Sequence, residues 1–321
     1  MRRLPQKIPG EEKVALSHRF RVLADRGLTP LVALAWLVSA GPLAAAGAAD
    51  AKRGQYLFDA AGCRGCHTDA KNKGKPLSGG RRLNAPFGIY FSPNITPDKD
   101  TGIGKWSDAD FVRALRLGIT PDGSHYFPVF PYPSYSAMTD QDMLDIKAYI
   151  FTTPAHNAPN KPHKTRAPFG SRFLVGPWKA LNFTPGPLQP DPERSKQWNR
   201  GAYLVRALGH CGECHTPRTL LGAIKTGMDL AGTSDGPDGG VVPNITPDRK
   251  TGIGRWSRGD LEEFLSSGML PDGDFASSDM GEVIDQSTGR LSTPDLKAMV
   301  EYLRSMAPVE NLIETKKKKK K

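Results

Sequence analysis

Two short motifs in the chain contain the residue types that could attach a metal-containing group covalently. They are GCRGCHTDA, with Cys63, Cys66 and His67, and HCGECHTPR, with Cys211, Cys214 and His215. In a C-x-x-C-H motif the two thiols can add across the vinyl groups of a porphyrin, and the histidine that follows is placed to donate a ring nitrogen to the iron. The two motifs together therefore predict two covalently bound haem c groups, with His67 and His215 as iron ligands.

Other uses of paired cysteines explain these motifs less well. A zinc site made from two C-x-x-C pairs usually has the pairs about 15–20 residues apart, whereas Cys63 and Cys211 are 148 residues apart. A thioredoxin-like redox pair does not need the histidine that follows. Disulfides are compatible with an exported protein, although a bridge across two residues closes a very short loop.

The motifs lie inside a duplicated sequence. RGQYLFDAAGC (53–63) recurs as RGAYLVRALGHC (200–211), a PNITPD…TGIG segment recurs from 93 to 243, and TDQDMLDIKAYI (139–150) resembles STPDLKAMVEYL (292–303). The offset between the copies drifts from 147 to 153 residues, so the copies differ only by short insertions. A period this long, present twice, predicts two similar domains.

Capping signals in each copy predict the helices that must position the motifs. A helix precedes each cysteine pair, and a middle helix begins at a serine and ends at a glycine, over 107–118 and 257–268. A last helix begins near Thr139 in the first copy, and Pro294 fits the first helical turn in the second. The sequence thus predicts an all-α fold with two tandem domains, over residues 50–151 and 198–307.

The segment between the copies, residues 152–197, is rich in proline and poor in periodicity, which predicts a linker. Its apolar side chains are too numerous for a free tether: Phe173, Leu174, Trp178, Leu181 and Phe183. We therefore expect the linker to pack across both domains and to fix their separation.

The N-terminus has the pattern of an export signal, over residues 1–49. Seven basic residues precede the apolar run LTPLVALAWLVSAGPLAAAGA (28–48), which ends in small residues suited to a signal peptidase. A retained membrane anchor is the alternative, since the run is nearly long enough to span a bilayer. Either interpretation places the rest of the chain outside the cytoplasm, in the periplasm.

The net charge of +11 is concentrated at the two ends of the chain. Residues 1–49 carry +4 and the lysines at 316–321 carry +6, which leaves +1 for everything between. A nearly neutral body has no basic face, so no nucleic-acid partner is expected. The basic tail, residues 308–321, is either a solvated end or a means of associating with an anionic membrane surface.

The two C-x-x-C-H motifs, the two PNITPD…TGIG-[KR]-W segments and the FPYPSY run (130–135) give the chain a family resemblance. It resembles the multi-haem cytochrome c subunits of bacterial membrane-associated dehydrogenases that oxidise alcohols, gluconate or aldehydes. The resemblance implies a class I cytochrome c fold in each copy. It also implies single-electron transfer from a dehydrogenase subunit to a terminal oxidase, quinone or soluble cytochrome. Such relatives often carry three haems, whereas this sequence has two motifs.

Each iron needs a sixth ligand unless its haem is open and reactive. Met138, just before the last helix of the first copy, and Met280, in the corresponding loop of the second, are the predicted ligands. His125 is the alternative ligand in the first copy. Many relatives have their ligand methionine in a Met-Pro-Tyr sequence, at the place where this chain has Phe130-Pro131-Tyr132. The other candidates are expected to be packing residues or poorly placed: Met143, Met228, Met269, Met299 and Met306.

Two repeated side chains have open roles. Trp106 and Trp256 could each donate to a haem propionate or simply belong to the core, while Asn94 and Asn244 are expected to form turns. No residue pattern predicts a catalytic site, so the favoured function is an electron carrier and not an enzyme. A dihaem peroxidase or thiol-oxidising (thiosulfate-oxidising) cytochrome with one open or labile haem is the alternative function.

Overall fold

Helices make up most of the regular structure in the part of the chain that a computed structural model describes, residues 47–313 without position 277. In chain order the α-helices are α1 (Ala51–Ala60), α2 (Cys63–His67), α3 (Asp108–Leu117), α4 (Tyr132–Tyr135), α5 (Asp140–Ile150), α6 (Arg172–Asn182), α7 (Lys196–Tyr203), α8 (Gly212–His215), α9 (Arg258–Ser267), α10 (Ser278–Gln286) and α11 (Thr293–Ser305). The predicted export signal, apart from its last three residues, and the lysines at 316–321 lie outside the described residues. Within the described ranges, each helix is too short or too polar to cross a bilayer.

The predicted middle and last helices are confirmed. Ser107 and Ser257 cap α3 and α9, each in a reciprocal capping box with the acidic residue three positions on. Gly118 and Gly268 end these helices with φ angles of 60° and 85°. The side chain of Thr139 accepts a hydrogen bond from the amide of Asp142 and so caps α5.

The first and last helices of each repeat pack against each other, α1 against α5 and α7 against α11. A glycine allows the close approach in each pair. A Cβ at Gly54 would lie 1.8 Å from the carbonyl oxygen of Asp145, and a Cβ at Gly201 would lie 1.9 Å from that of Ala298. The glycine of the repeated R-G-x-Y sequence is therefore required by helix packing. One hydrophobic cluster runs through both repeats and includes Leu57, Met138, Val205 and Met299.

A π-helical segment explains the shift of register between the repeats. The offset grows from 147 residues at Arg53 and Arg200 to 148 at Cys63 and Cys211. Helix α7 continues into a π-helical turn at Leu204–Leu208, in which the amide of Gly209 donates to the carbonyl of Leu204 at 2.7 Å. A π turn holds one extra residue without breaking the helix, so the second attachment motif keeps its place.

The all-α prediction needs a correction, because the structure contains a small antiparallel sheet in the order β1-β2-β3. Its strands are β1 (Arg82–Ala85), β2 (Gly88–Phe91) and β3 (Lys164–Thr165). Leu83 pairs with Tyr90 in β1 and β2, and Gly88 pairs with Thr165 in β3. The short third strand comes from the segment between the two repeats, so this pairing ties that segment to the first repeat.

The segment 152–197 also contains a helix, α6, which proline-rich composition did not predict. Contrary to expectation, Phe173, Leu174 and Leu181 are largely exposed, at 80%, 45% and 85%. Phe183 does pack as expected, since its ring meets that of Tyr132 in the first repeat edge to face at 5.2 Å. Val175 of the same segment packs beside Tyr90 and Phe127. A hydrogen bond from Trp178 Nε1 to the carbonyl of Leu221, at 2.9 Å, joins α6 to the second repeat.

Candidate functional site

A cavity of about 290 Å³ opens in the first repeat beside the first cysteine motif. Cys63, Cys66 and His67 line it together with Trp106 and Met138, all five of which the sequence analysis had selected. Aromatic and aliphatic side chains of the 126–135 segment and of α3 make up much of the remaining wall. The cavity therefore combines two thiols, one imidazole and one thioether with a mostly apolar lining.

The imidazole of His67 is oriented by a backbone carbonyl. Its Nδ1 lies 2.8 Å from the oxygen of Pro93, and in the second repeat Nδ1 of His215 lies 2.8 Å from the oxygen of Pro243. An Nδ1–H that donates to the carbonyl leaves the Nε2 lone pair for a metal. Burial lowers the pKa of both histidines in spite of these hydrogen bonds, which favours the neutral, ligating form.

A buried asparagine holds each of these prolines. The side chain of Asn94, which is 1% exposed, accepts from the amide and hydroxyl of Thr96 and donates to Thr101 and to the carbonyl of His156. Asn244 makes the same set of bonds in the second repeat, where the carbonyl of Val309 replaces that of His156. The turn expected at these positions is present, and in addition each asparagine fastens the loop to the chain that follows the last helix of its repeat.

Met138 is 1% exposed and lies between α4 and the cap of α5. Its amide donates to the carbonyl of Tyr135 at 2.9 Å, so the short helix α4 fixes where its backbone enters the cavity wall. Met143 is equally buried but belongs to the core around α5. His125, the alternative ligand, is engaged elsewhere, with its Nδ1 3.2 Å from Nζ of Lys179 in α6.

In the second repeat the predicted histidine is oriented by a proline carbonyl as in the first, but the predicted methionine has a different setting. His215 is buried, at 8% exposure, and it ends the short helix α8, which contains Cys214 and directly follows Cys211. Met280 lies in helix α10 and not in a loop, and it is half-buried. Its role as the iron ligand therefore stays a prediction. Met299 is 1% exposed and belongs to the core, while Met269 is 39% exposed and is not the packing residue that was expected.

The two tryptophans take equivalent positions after the TGIG turns. The backbone amide of each tryptophan donates to the carbonyl oxygen of an isoleucine in its turn. Trp106 donates to Ile103 at 2.9 Å, and Trp256 donates to Ile253 at 3.0 Å. Both side chains pack against the core, and Trp256 also meets Phe264 edge to face at 5.4 Å. Because Trp106 lines the cavity as well, packing against the core and contact with a bound group are compatible at this position.

Sequence reasoning missed the carbonyl groups that orient the histidines. The signal was available, because the PNITPD sequence recurs with the same relation to each motif, but a backbone acceptor leaves no side-chain signature. Reasoning from sequence also missed His163 of the segment 152–197, which lines the cavity and accepts from the amide of Phe91 at 3.2 Å.

The donor set fits covalent haem c. The four cysteines form no disulfide with one another. Two thiols and an imidazole oriented by a backbone carbonyl adjoin an apolar cavity that Met138 also lines. Histidine with methionine is a common axial pair for c-type iron. The residues that would hold the group are Cys63, Cys66, His67 and Met138, with Cys211, Cys214 and His215 as the second set.

Comparison with known proteins finds relatives that are described as c-type cytochromes or as cytochrome subunits. A family model described as cytochrome c matches residues 51–154. A protein named diheme cytochrome c-type from Cereibacter sphaeroides is 42% identical over 269 residues, which cover 81% of this chain and 87% of that protein. The fructose dehydrogenase cytochrome subunit of Gluconobacter japonicus is 39% identical over 294 residues, or 89% of this chain.

The relatives differ in how much of their own length the match covers. It covers 60% of the fructose dehydrogenase cytochrome subunit. It covers only 23% of a nicotinate dehydrogenase subunit from Pseudomonas putida, which is 40% identical over 280 residues and 85% of this chain. The same sequence unit thus occurs both nearly alone and as part of longer proteins.

Proposed function

This chain belongs to the cytochrome c family, and on that premise we propose that it is an exported dihaem electron carrier that serves a dehydrogenase. It would take single electrons from a dehydrogenase subunit and pass them to a downstream respiratory acceptor. The observation that carries the proposal is the cavity shared by Cys63, Cys66, His67 and Met138. When bound, haem c supplies an iron centre that gains or loses one electron.

The residues of the chain determine what kind of centre this is. Cys63 and Cys66 would hold the porphyrin covalently, and the contact of His67 Nδ1 with the Pro93 carbonyl leaves Nε2 as the atom that would bind iron. Met138 supplies a soft thioether, which favours the ferrous state and raises the reduction potential. With Met138 as a second ligand beside His67, the iron would have no free position for a substrate, which supports a carrier in preference to an enzyme with an open iron.

The second centre is proposed from the equivalence of the repeats. Cys211, Cys214 and His215 repeat the first motif, and the Pro243 carbonyl repeats the contact that orients its histidine. Met280 is proposed as the second methionine ligand. Because it lies half-buried in α10, its thioether would have to reach the iron from that helix.

The chain organisation that we propose is two tandem cytochrome c domains, at 50–151 and 198–307, joined by the segment 152–197. The paired helices α1 with α5 and α7 with α11 support it, because each repeat brings its own first and last helix together. The helix α6 and strand β3 of the joining segment make it a docked connection and not a free tether.

The partners follow from the relatives. Several are named as cytochrome subunits of fructose, gluconate or alcohol dehydrogenases. A dehydrogenase catalytic subunit is therefore the proposed donor, with a terminal oxidase, quinone or soluble cytochrome as acceptor. The signal pattern at 1–49 supports a periplasmic location, and the lysines at 316–321 support association with the membrane surface.

The test uses the full chain produced with haem in an exporting host. A haemochrome assay against protein concentration is expected to give two haems per chain, and both ferrous haems should resist carbon monoxide. Reduction by a dehydrogenase catalytic subunit from the same organism should be faster than by an unrelated dehydrogenase. One haem per chain, or rapid carbon monoxide binding at either haem, would reject a carrier with two six-coordinate centres.

A further inference from the structure

Tyr135 joins the two cysteine motifs directly. Its hydroxyl donates to the carbonyl of Ala61 at 2.8 Å, two residues before Cys63. Its ring meets the imidazole of His210 edge to face, with centroids 5.3 Å apart, and His210 immediately precedes Cys211. One side chain, which is 6% exposed, thus contacts the peptide leading into each motif.

Tyr135 also belongs to the wall of the first cavity. It is the last residue of α4, and Met138 follows three residues later. The same aromatic ring therefore adjoins the predicted site of the first haem on one side and the approach to the second motif on the other.

Polar contacts on both sides hold the two motifs in this arrangement. The hydroxyl of Ser134 donates to Glu213, between Cys211 and Cys214, at 2.6 Å. In the opposite sense, Arg81 donates to the carbonyl of Gly65, between Cys63 and Cys66, at 2.5 Å, and pairs with Glu282 of α10. In each repeat, the segment that contains the proposed methionine ligand is thus linked to the cysteine motif of the other repeat, directly through Ser134 or by way of Arg81.

We propose that Tyr135 is the bridge between the two haem sites, and that electrons pass between the two halves of the chain at its contact with His210. Electronic coupling between redox centres falls steeply across empty space and less steeply through covalent bonds, hydrogen bonds and packed rings. One electron leaves the reduced iron and one arrives at the oxidised iron, so the step needs no proton and no further reactant. The phenol itself is neither oxidised nor reduced.

This inference rests on the proposed dihaem carrier, and its test is designed so that the two can fail separately. Haem content and the iron–methionine charge-transfer band are measured first on each full-length, haem-loaded variant. A wild-type chain with one haem would reject the carrier proposal before the bridge is examined. Variants that keep both haems then report on the bridge alone.

The decisive variants remove one ring at a time. Tyr135→Leu deletes the bridging ring, and His210→Asn deletes its partner, which asparagine can replace because His210 has a φ of 38°. The matched control is Tyr149→Leu, since Tyr149 of the same repeat meets Phe58 edge to face at 5.1 Å and does not line the cavity. The readouts are the rate of electron equilibration between the haems after rapid photoreduction, the separation of the two midpoint potentials, and the melting temperature.

We expect Tyr135→Leu and His210→Asn to slow equilibration about tenfold, because transfer between fixed partners is sensitive to small displacements. Tyr149→Leu should leave the equilibration rate within about twofold of the wild-type rate. The difference between the midpoint potentials of the two haems should become smaller in Tyr135→Leu and His210→Asn only. If both bridge variants melt earlier but keep the wild-type rate, Tyr135 has a structural role alone and the proposal is wrong. An equal slowing by Tyr149→Leu would also overturn it.

Discussion

Tyr56 of the first repeat and Tyr203 of the second occupy equivalent positions, and each donates its hydroxyl to an aspartate of the opposite repeat. Tyr56 donates to Asp295 at 2.7 Å, and Tyr203 donates to Asp142. Each aspartate also pairs with the arginine three residues before the other tyrosine, Asp295 with Arg200 and Asp142 with Arg53. The repeated R-G-x-Y sequence therefore binds the two halves reciprocally, as a twofold-symmetric interface does.

This reciprocity predicts equal losses from two distant substitutions. Tyr56→Phe and Tyr203→Phe should each lower the free energy of unfolding by about 1 kcal/mol, the usual net worth of one hydrogen bond, or somewhat more because the acceptor is charged. Chemical denaturation of the haem-loaded chain measures the effect. Tyr90→Phe is the control, because its ring packs inside the first repeat against Phe127. Losses no larger than the control's would mean that these bonds do not hold the repeats together.

The first haem ligand is tested with a pair of neighbouring methionines. Met138→Leu should abolish one haem's share of the iron–methionine charge-transfer band and lower that haem's potential. Met143→Leu should change neither, since Met143 is 0% exposed in the core. Leucine conserves most of the volume, so each variant should lose less than about 1.5 kcal/mol of stability. An unchanged band in Met138→Leu would remove Met138 as the ligand.

The sequence predicted the setting of the residues at the first proposed haem site more fully than at the second. Cysteine and histidine spacing is local, so Cys63 and His67, or Cys211 and His215, could be assigned without the fold. Met138 depends on the path of a long loop, yet a cap at Thr139 fixed the end of that loop and made its position predictable. The loop around Met280 forms helix α10, which no cap signal or periodicity in the sequence had indicated.

Contacts between residues that are far apart in the sequence could not be predicted from it. The carbonyl of Pro93 and the sheet that includes Lys164 and Thr165 are backbone features, and their partners are many residues away. The exposure of Phe173 and Leu181 reversed an expectation based on apolarity alone. In contrast, the extra residue before Cys211 was visible as a change of offset, and only its π-helical form needed the structure.

The second haem ligand requires a comparison of several methionines. Met280→Leu should remove the other haem's share of the charge-transfer band and leave the first haem's share intact. Met228→Leu and Met306→Leu serve as matched variants, since both side chains are half-buried in the same repeat. A band lost in either of these, and kept in Met280→Leu, would reassign the ligand.

The buried asparagines should each influence only their own haem. Asn94→Ala removes the bonds to Thr96, Thr101 and His156, so we expect about 2–3 kcal/mol of lost stability from unsatisfied buried groups. The loosened Pro93 carbonyl should also let His67 exchange faster with added imidazole. Asn244→Ala should produce the same change at His215. The rate of imidazole exchange, measured at each haem, checks whether each asparagine affects only the haem of its own repeat. Equal effects of one variant on both haems would contradict this prediction.

The ion pair at Asp295 predicts how the interface responds to acid. Burial alone would raise the pKa of Asp295, but hydrogen bonds from Arg200 and Tyr56 outweigh it and hold the pKa below its usual value of 3.8. The unfolded chain therefore binds this proton at a higher pH than the folded chain does. The stability from Asp295 is complete above the unfolded pKa and is lost as pH falls through the folded pKa.

Asp295→Asn should consequently be less stable than wild type at pH 7, and the difference should shrink when the pH is lowered below about 4. Unfolding titrations of both proteins across this range measure it, and comparing them cancels the acid effects on the haem ligands that they share. Asp285→Asn is the control, since Asp285 lies exposed on α10 of the same repeat. A difference between wild type and Asp295→Asn that stays constant or grows on acidification would show that the Asp295 carboxylate does not stabilise the interface through its charge.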